Sequence, residues 1–209
     1  MFEWFEKSAE QGNADAQYEL GKMYIQEYGV EEDAELAFEW FEKSALQSNA
    51  KAQFLIGTMY IDGEGVEEDA ELAFEWFEKS AEQGNDEAQC CLGTMYIDGY
   101  GVEEDAELAF EWFEKSAEQG NDEAQYYLGK MYLNGEGVEK DYELAFEWIE
   151  KSAEQDNAKA QLLIGTMYID GYGVERDAEL GLEWVEKSAN QDNEKAQSLL
   201  EALIKKANA

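Results

Sequence analysis

The sequence contains no histidine and no proline, and only two of its 209 residues are cysteine. Histidine is the commonest proton shuttle near neutral pH and the commonest metal ligand. Catalytic arrangements that pair serine or cysteine with histidine therefore cannot be built from this chain. The two cysteines, Cys90 and Cys91, are adjacent, which rules out an ordinary disulfide framework and favours a structural pair over a redox centre.

Basic residues are also scarce. Fifteen Lys and Arg stand against 50 Asp and Glu, which gives a formal net charge of −35. Such a charge disfavours direct binding to nucleic-acid phosphates and to anionic membranes. The sequence has no apolar run of transmembrane length and no signal-peptide pattern at its start, so the predicted location is the cytoplasm. A hydrophobic fraction of 44% is nevertheless enough to form a core.

The sequence consists of a repeat of 36 residues. Residues 73–108 and 109–144 share 28 identities in 36 positions. The six tryptophans follow this period without exception, and a glycine and a tyrosine keep it in five units. The tryptophans are Trp4, Trp40, Trp76, Trp112, Trp148 and Trp184. This regularity predicts one array of about six structural repeats over residues 1–209, with a truncated first helix and a capping last helix.

Each unit predicts two helices. In residues 33–68, Asp33 is placed to cap a first helix whose apolar positions follow helical spacing and which ends around Gln47–Asn49. A second helix is predicted from about Ala50 to Asp62, and Gly63 is expected to end it in a left-handed conformation. Gly57, inside the second helix, is expected to mark a helix contact too close for a side chain. Glu39 precedes Lys43 by four residues, which predicts a helical ion pair in each unit.

These residues resemble the Sel-one-like repeat family, which is related to the tetratricopeptide repeat. In one unit the resemblance is carried by Ala73, Trp76, Lys79, Ala81, Gly84, Ala88, Leu92, Gly93, Tyr96, Gly99, Gly101, Val102 and Asp105. It implies an all-α fold, a right-handed α-solenoid of helix–turn–helix repeats, and a role as a scaffold or adaptor for other proteins. A cysteine-rich bacterial subset is linked to β-lactam binding, but its disulfide pattern is missing here and that activity is not predicted.

The predicted interaction surface is an outward acidic ladder on the first helices together with neighbouring phenylalanines. Repeated carboxylates attract a basic partner over a distance, and apolar contacts then define its position. A surface that only confers solubility explains the same residues about equally well. The predicted partner-binding residues are Phe38, Glu39, Glu42, Phe74, Glu75, Glu78, Phe110, Glu111, Glu114, Glu147 and Glu150; the ladder continues at Glu183 and Glu186.

Other patterns indicate packing more than chemistry. The tryptophan and tyrosine ladders fall on apolar faces and predict core. The loop over residues 62–69 lacks the ligand spacing of a calcium site, so no metal and no cofactor are predicted. Two adjacent positions early on the second helix vary most between repeats, as in Cys90/Cys91 and Tyr126/Tyr127. This variation indicates either relaxed packing or an adaptable contact face. The loop tyrosines are further candidate contacts: Tyr28, Tyr100 and Tyr172.

The sequence therefore predicts a non-enzymatic interaction scaffold that binds a protein with a basic surface. A second hypothesis is an inhibitor that mimics the charge of nucleic acid and occupies the groove of a basic, nucleic-acid-binding protein. The charge of −35 supports this second hypothesis, but an acidic surface that only confers solubility explains the same number. The sequence opens part-way through a first helix, so either a preceding segment has been removed or the array is naturally short. An apolar end exposed in this way also predicts end-to-end self-association.

Overall fold

A computed structural model describes residues 2–26 and 30–207, and within these ranges all regular secondary structure is helical. Most helices have 12 to 14 residues, and they alternate between first and second helices of the repeat. The helices are α1 (Phe2–Glu10), α2 (Ala14–Ile25), α3 (Ala34–Ala45), α4 (Ala50–Asp62), α5 (Ala70–Glu82), α6 (Asp86–Asp98), α7 (Ala106–Glu118), α8 (Asp122–Asn134), α9 (Tyr142–Glu154), α10 (Ala158–Asp170), α11 (Ala178–Ala189) and α12 (Glu194–Ala207).

The chain forms two compact units. The first ends at Asp105 and contains α1 to α6; the second begins at Ala106 and contains α7 to α12. In each unit a helix packs mainly against its neighbours in sequence, as in α2 with α3 and α10 with α11. The single array over residues 1–209 that the period predicts stays a prediction.

The first helices begin where the sequence predicts. Asp33 has extended backbone, and its carboxylate accepts a hydrogen bond from the amide of Leu36 at 3.0 Å. Asp69, Asp141 and Asp177 cap α5, α9 and α11 in the same way. Each carboxylate satisfies an amide that has no partner inside the helix, which is why these helices start at the same position in each repeat.

The second helices begin at an asparagine that the sequence analysis did not identify as a cap. The side chain of Asn49 accepts a hydrogen bond from the amide of Ala52 at 3.1 Å. The preceding helix, α3, ends at Ala45, which is earlier than predicted. The predicted range of α4 is confirmed. Gly63 ends it with φ 66°, in the left-handed region, and donates its amide to the carbonyl of Met59. Gly65 follows with φ 70°, where a Cβ would overlap the carbonyl of Ala34.

The core of a repeat lies between its two helices. Phe41 of α3 and Ile56 of α4 are almost completely buried, and Val66 of the following loop packs against them as predicted. The tryptophans pack one repeat further back: Trp76 contacts this core, and Trp184 contacts the core of α9 and α10. Packing as the main role of the tryptophans is therefore confirmed where these contacts are described, whereas Trp4 is 75% exposed.

A hydrogen-bonded ladder joins neighbouring repeats within each unit. Ser80 of α5 is fully buried, and its hydroxyl donates to the carbonyl of Ala50 in the preceding repeat at 2.7 Å. Ser152 and Ser188 make the same bond in the second unit. Buried polar groups are retained when they are paired, so this ladder sets the register between repeats.

Candidate interaction surfaces

The acidic ladder of the first helices faces solvent. In the first unit, Glu39 and Glu42 of α3 and Glu75 and Glu78 of α5 are exposed. In the second unit, the ladder residues of α7, α9 and α11 are also exposed, with the exception of Glu150, which is half-buried. The exposed second-unit residues are Glu111, Glu114, Glu147, Glu183 and Glu186.

The predicted ion pair between Glu39 and Lys43 is wrong. The ammonium of Lys43 lies over the indole of Trp40, 4.0 Å from the ring centroid, and no ion pair joins it to Glu39 in the described part of the chain. Lys7 holds this position in the first repeat, and the four later repeats show the same contact as Lys43 at 3.7 to 4.1 Å, in the pairs Lys79–Trp76, Lys115–Trp112, Lys151–Trp148 and Lys187–Trp184. A cation is attracted to the negative face of an indole, and the half-buried ring offers a fixed surface, whereas Glu39 is solvated.

This placement leaves the glutamates of the ladder without cationic partners. Among the residues that the structure describes, the ion pairs are Lys22–Glu19, Lys159–Glu123 and Lys205–Glu201, and none includes a ladder glutamate. Burial and the charges of Glu154 and Glu147 raise the pKa of Glu150 above its usual value. The ladder therefore presents uncompensated negative charge.

The predicted phenylalanines are half-buried and do not project freely. The ring of Phe38 in α3 meets the ring of Tyr60 in α4 edge to face, with centroids 5.5 Å apart and planes at 88°. The pairs Phe74–Tyr96, Phe110–Tyr132 and Phe146–Tyr168 repeat this geometry at 5.2 to 5.4 Å. In each unit the acidic ladder therefore lies beside a row of aromatic pairs with fixed geometry.

The glutamates and the aromatic pairs are close enough to interact electrostatically. Burial raises the pKa of Tyr60, and the carboxylates of Glu42 and Asp69 raise it further. The pKa of the equivalent Tyr96 is raised by the same causes: burial first, then the charges of Glu78 and Asp105. The structure therefore brings together one glutamate, one phenylalanine and one tyrosine of each such repeat on a single surface, of which the sequence analysis had identified the first two.

The second helices form grooves that the sequence analysis did not anticipate. In the first unit a groove of about 610 Å³ is lined by Tyr18, Lys22, Lys51 and Phe54, among others. In the second unit a groove of the same volume is lined by Tyr126, Tyr127, Ala158, Leu162, Gln191, Asn193, Glu194 and the lysines Lys130, Lys159 and Lys195. The variable positions of the second helix line both grooves.

The remaining candidates have local partners or no reactive geometry. Burial, and then the charge of Glu87, raise the pKa of the Cys91 thiol to about 11, so it is a poor nucleophile at neutral pH. The hydroxyl of Tyr100 donates to Glu68 at 2.7 Å, and Tyr172 stacks on Tyr142 with centroids 5.4 Å apart. Tyr28 lies outside the described residues.

Over residues 2–26 and 30–207, no group of three or more Cys, Asp and Glu side chains is arranged to hold a metal ion. Within the same ranges, none of the helices combines the length and apolar character that crossing a membrane requires.

Paired helices, buried alanines and glycines at their contacts, and a 36-residue period together define a solenoid of helical hairpins. The model of the Sel1 repeat matches six segments, and the chain belongs to the Sel1 repeat family. The matched segments are residues 2–13, 14–49, 50–85, 86–121, 122–157 and 158–193. The predicted family and the predicted all-α solenoid fold of six repeats are confirmed. Proteins of this family generally mediate protein–protein interactions and are typically non-catalytic.

Solved structures similar to this chain include proteins from Escherichia coli, Oxalobacter formigenes and Pseudomonas aeruginosa. One is c5321, described as a protective antigen present in uropathogenic Escherichia coli strains, with 40% identity over 96% of this chain and a TM-score of 0.90. This chain covers 43% of the length of c5321. The second is a Sel1 repeat protein from Oxalobacter formigenes, with 34% identity, a TM-score of 0.86 and coverage of 91% of this chain and 76% of the other.

The third is the immunity protein Pa5087 from Pseudomonas aeruginosa, with 24% identity, a TM-score of 0.56 and coverage of 88% of this chain and 67% of the other. At this identity the likeness concerns the fold alone. A comparison with curated proteins gave no match.

Proposed function

We propose that the chain is a non-enzymatic scaffold that binds a protein with a basic surface through the acidic ladder and the adjoining aromatic pairs. The observation that carries this proposal is the position of the five lysines over the tryptophans, because it leaves the ladder glutamates without ion pairs. Exposed carboxylates of one sign attract and orient a basic partner, and contacts beside them determine which partner stays.

The aromatic pairs provide the second part of the surface. The edge-to-face contact holds Phe74 against Tyr96 at 5.4 Å, so little side-chain freedom is lost when a partner covers the pair. In the first unit the surface comprises the ladder residues of α3 and α5 with Phe38 and Phe74. In the second unit the surface comprises the ladder residues of α7 and α9 with Phe110. A cytoplasmic location is part of the same proposal.

The test compares two variants with equal net charge. The ladder variant replaces Glu39, Glu42, Glu75 and Glu78 by Gln, and the control variant replaces the exposed loop residues Glu31, Glu67, Glu103 and Glu139 by Gln. Proteins captured from lysate of the source cells are identified at low and at physiological salt, and their affinities for the purified variants are then measured by calorimetry. We expect a partner that the ladder variant loses and the control variant keeps. Equal loss from both variants would show that net charge alone is recognised and would contradict the proposal.

The charge of −35 also supports the alternative, an inhibitor that mimics nucleic acid. Competition distinguishes the two functions. A mimic displaces DNA or RNA from its captured partner, whereas a scaffold leaves the nucleic acid bound. If the captured partner releases a labelled oligonucleotide in proportion to the added chain, the mimic hypothesis replaces the scaffold hypothesis.

End-to-end self-association belongs to the same proposal. The indole of Trp4 is 75% exposed at the position where Trp40 and Trp76 pack against the preceding repeat. A second copy that covers this indole would bury apolar surface now in contact with water. Sedimentation velocity at increasing concentration tests this, with Trp4→Gln as the variant. Association that Trp4→Gln does not weaken would show that another surface is used.

A further inference from the structure

The basic residues of this acidic chain are not spread evenly over its surface. Of the fifteen Lys and Arg, five lie over tryptophans, and five others line the two grooves of the second helices. The five groove lysines are Lys22, Lys51, Lys130, Lys159 and Lys195. These five lysines therefore lie in the two grooves and not on the acidic ladder.

The two grooves are built from the same positions of the repeat. Tyr18, Lys22 and Lys51 recur as Tyr126, Lys130 and Lys159, each 108 residues later, which is three periods of 36. The intervening repeats carry Thr58 and Thr94 at the first lysine position and Glu87 and Glu123 at the second. The combination of tyrosine with two lysines thus occurs once in each unit, at positions that differ between the other repeats.

The groove of the second unit is the more basic of the two. Three lysines line it, with Glu194 in the lining and Glu123 bonded to Lys159, whereas the first-unit groove has two lysines and three acidic residues, Glu64, Asp86 and Glu87. Two of the three lysines converge on one pair of rings. The ammonium of Lys130 lies 5.5 and 5.4 Å from the ring centroids of Tyr126 and Tyr127, and that of Lys159 lies 5.9 and 6.0 Å from them.

Neighbouring contacts hold these groups in place. Lys159 donates to Glu123 at 2.6 Å, which fixes one wall of the groove while 55% of the lysine side chain stays exposed. Tyr127 stacks on Phe113 with ring planes at 16°, so the aromatic floor is anchored in the core of α7. Leu162 adds an apolar surface beside the rings. A groove with a fixed apolar floor and a basic rim is complementary to an acidic chain that also carries an apolar side chain.

We propose that the groove formed by Tyr126, Tyr127, Lys130, Lys159, Leu162 and Lys195 binds an extended acidic peptide segment of a partner protein. Carboxylates of the segment pair with the ammonium groups of the rim, and an aromatic or aliphatic side chain packs on Tyr126 and Leu162. A nucleic-acid strand fits less well, because the net charge of −35 repels a polyanion whereas a short segment carries few charges. This surface is separate from the acidic ladder and carries the opposite charge.

The test uses a fluorescein-labelled peptide of sequence Asp-Glu-Phe-Glu-Asp and its counterpart with Ala in place of Phe, measured by fluorescence polarisation at physiological salt. We expect saturable binding of the Phe peptide and weaker binding of the Ala peptide. In the groove variant, Lys130→Gln with Lys159→Gln, the affinity is expected to fall at least about tenfold, because each lost charge pair weakens binding. The matched control is Lys43→Gln with Lys79→Gln, which changes the net charge equally but lies over the tryptophans, and it is expected to change affinity less than about twofold.

Several outcomes would overturn the proposal. Absence of saturable binding, or equal loss of affinity in the groove and control variants, would show that the groove does not select the peptide. Full competition by inorganic phosphate or by a single-stranded oligonucleotide would show a general anion site. Concentration-dependent sedimentation that only the groove variant abolishes would assign the groove to a second copy of this chain. Circular dichroism melting of both variants confirms that each remains folded, and the ladder variant described above keeps this binding if the two surfaces are independent.

Discussion

Gly57 of α4 lies directly against the ring of Phe77 in α5. A Cβ on Gly57 would stand 2.7 Å from Cδ1 of Phe77, closer than carbon atoms pack, and the ring is 2% exposed. The glycine is therefore required by the contact between one repeat and the next, as the sequence predicts. In the second unit a Cβ on Gly165 would stand equally close, 2.7 Å from the backbone carbonyl oxygen of Gly181.

We expect Gly57→Ala to destabilise the protein. Overpacking a core costs about 1–3 kcal/mol, which outweighs the gain of up to about 1 kcal/mol from replacing glycine by alanine in a helix. The measurement is the free energy of unfolding in urea. The control is Phe77→Leu alone and combined with Gly57→Ala, and the combined loss should be smaller than the sum of the single losses. An increase in stability on Gly57→Ala would contradict the close contact.

The position of Lys79 over Trp76 gives a second prediction. We expect Lys79→Met to lower the free energy of unfolding by about 0.5–1 kcal/mol, the range of an exposed cation–π contact. Glu75→Gln should cause no loss, because no ion pair joins Glu75 to Lys79 among the residues described. Lys51→Met, at an exposed position away from any tryptophan contact, controls for the change in net charge. A larger loss of unfolding free energy from Glu75→Gln than from Lys79→Met would support the ion pair predicted from the sequence and contradict the contact with Trp76.

The half-buried Glu150 gives a pH-dependent prediction. Its pKa is raised above 4.5 in the folded protein by burial and by Glu154 and Glu147, so the folded state binds its proton more tightly than the unfolded state. Stability therefore falls as the pH rises through the window between the usual and the raised pKa. We expect Glu150→Gln to raise the melting temperature at neutral pH and to lose this effect below the usual pKa of the carboxyl group.

The melting temperatures of the two proteins are compared between about pH 4 and about pH 8, on either side of that window. Glu42→Gln, the exposed counterpart of Glu150 in α3, is the control and should show the smaller effect at neutral pH. A gain from Glu150→Gln that is the same at both ends of the pH range would show that the carboxylate is not destabilising in the folded state.

The net charge of −35 gives a prediction for the whole chain. Like charges repel in the compact state, and the screening length falls from about 30 Å at 0.01 M salt to about 8 Å at 0.15 M. We expect the melting temperature to rise over this interval. NaCl and KCl should act equally at the same ionic strength, since screening does not depend on the identity of the cation. An unchanged melting temperature would mean that self-repulsion contributes little to stability.

Much of the fold could be predicted because its signals are local. The aspartate at the start of each first helix and Gly63 at the end of α4 act on backbone groups within a few residues. The asparagine caps give an equally local signal, since Asn49 stands three residues before the amide that it accepts from. These caps were not predicted because the same stretch of sequence also fits the end of the preceding helix.

The candidate surfaces were only partly predictable. The glutamates of the ladder were found because they lie outside the apolar stripe. The role of Tyr60 was missed because its partner Phe38 belongs to another helix. The groove of Lys130 and Lys159 was missed because these residues are 29 positions apart and come together only where α8 and α10 line the same groove.

By itself, the sequence determined the period, the number and limits of most helices, the glycine contacts and the family, because each depends on spacing within one repeat. Tertiary structure alone decided the partners of the long polar side chains. Lys43 has Glu39 one turn away and Trp40 three residues away, and both are within reach in an isolated helix. The packing of Trp40 against the preceding repeat fixes the indole face, and that fixed face is where the lysine lies.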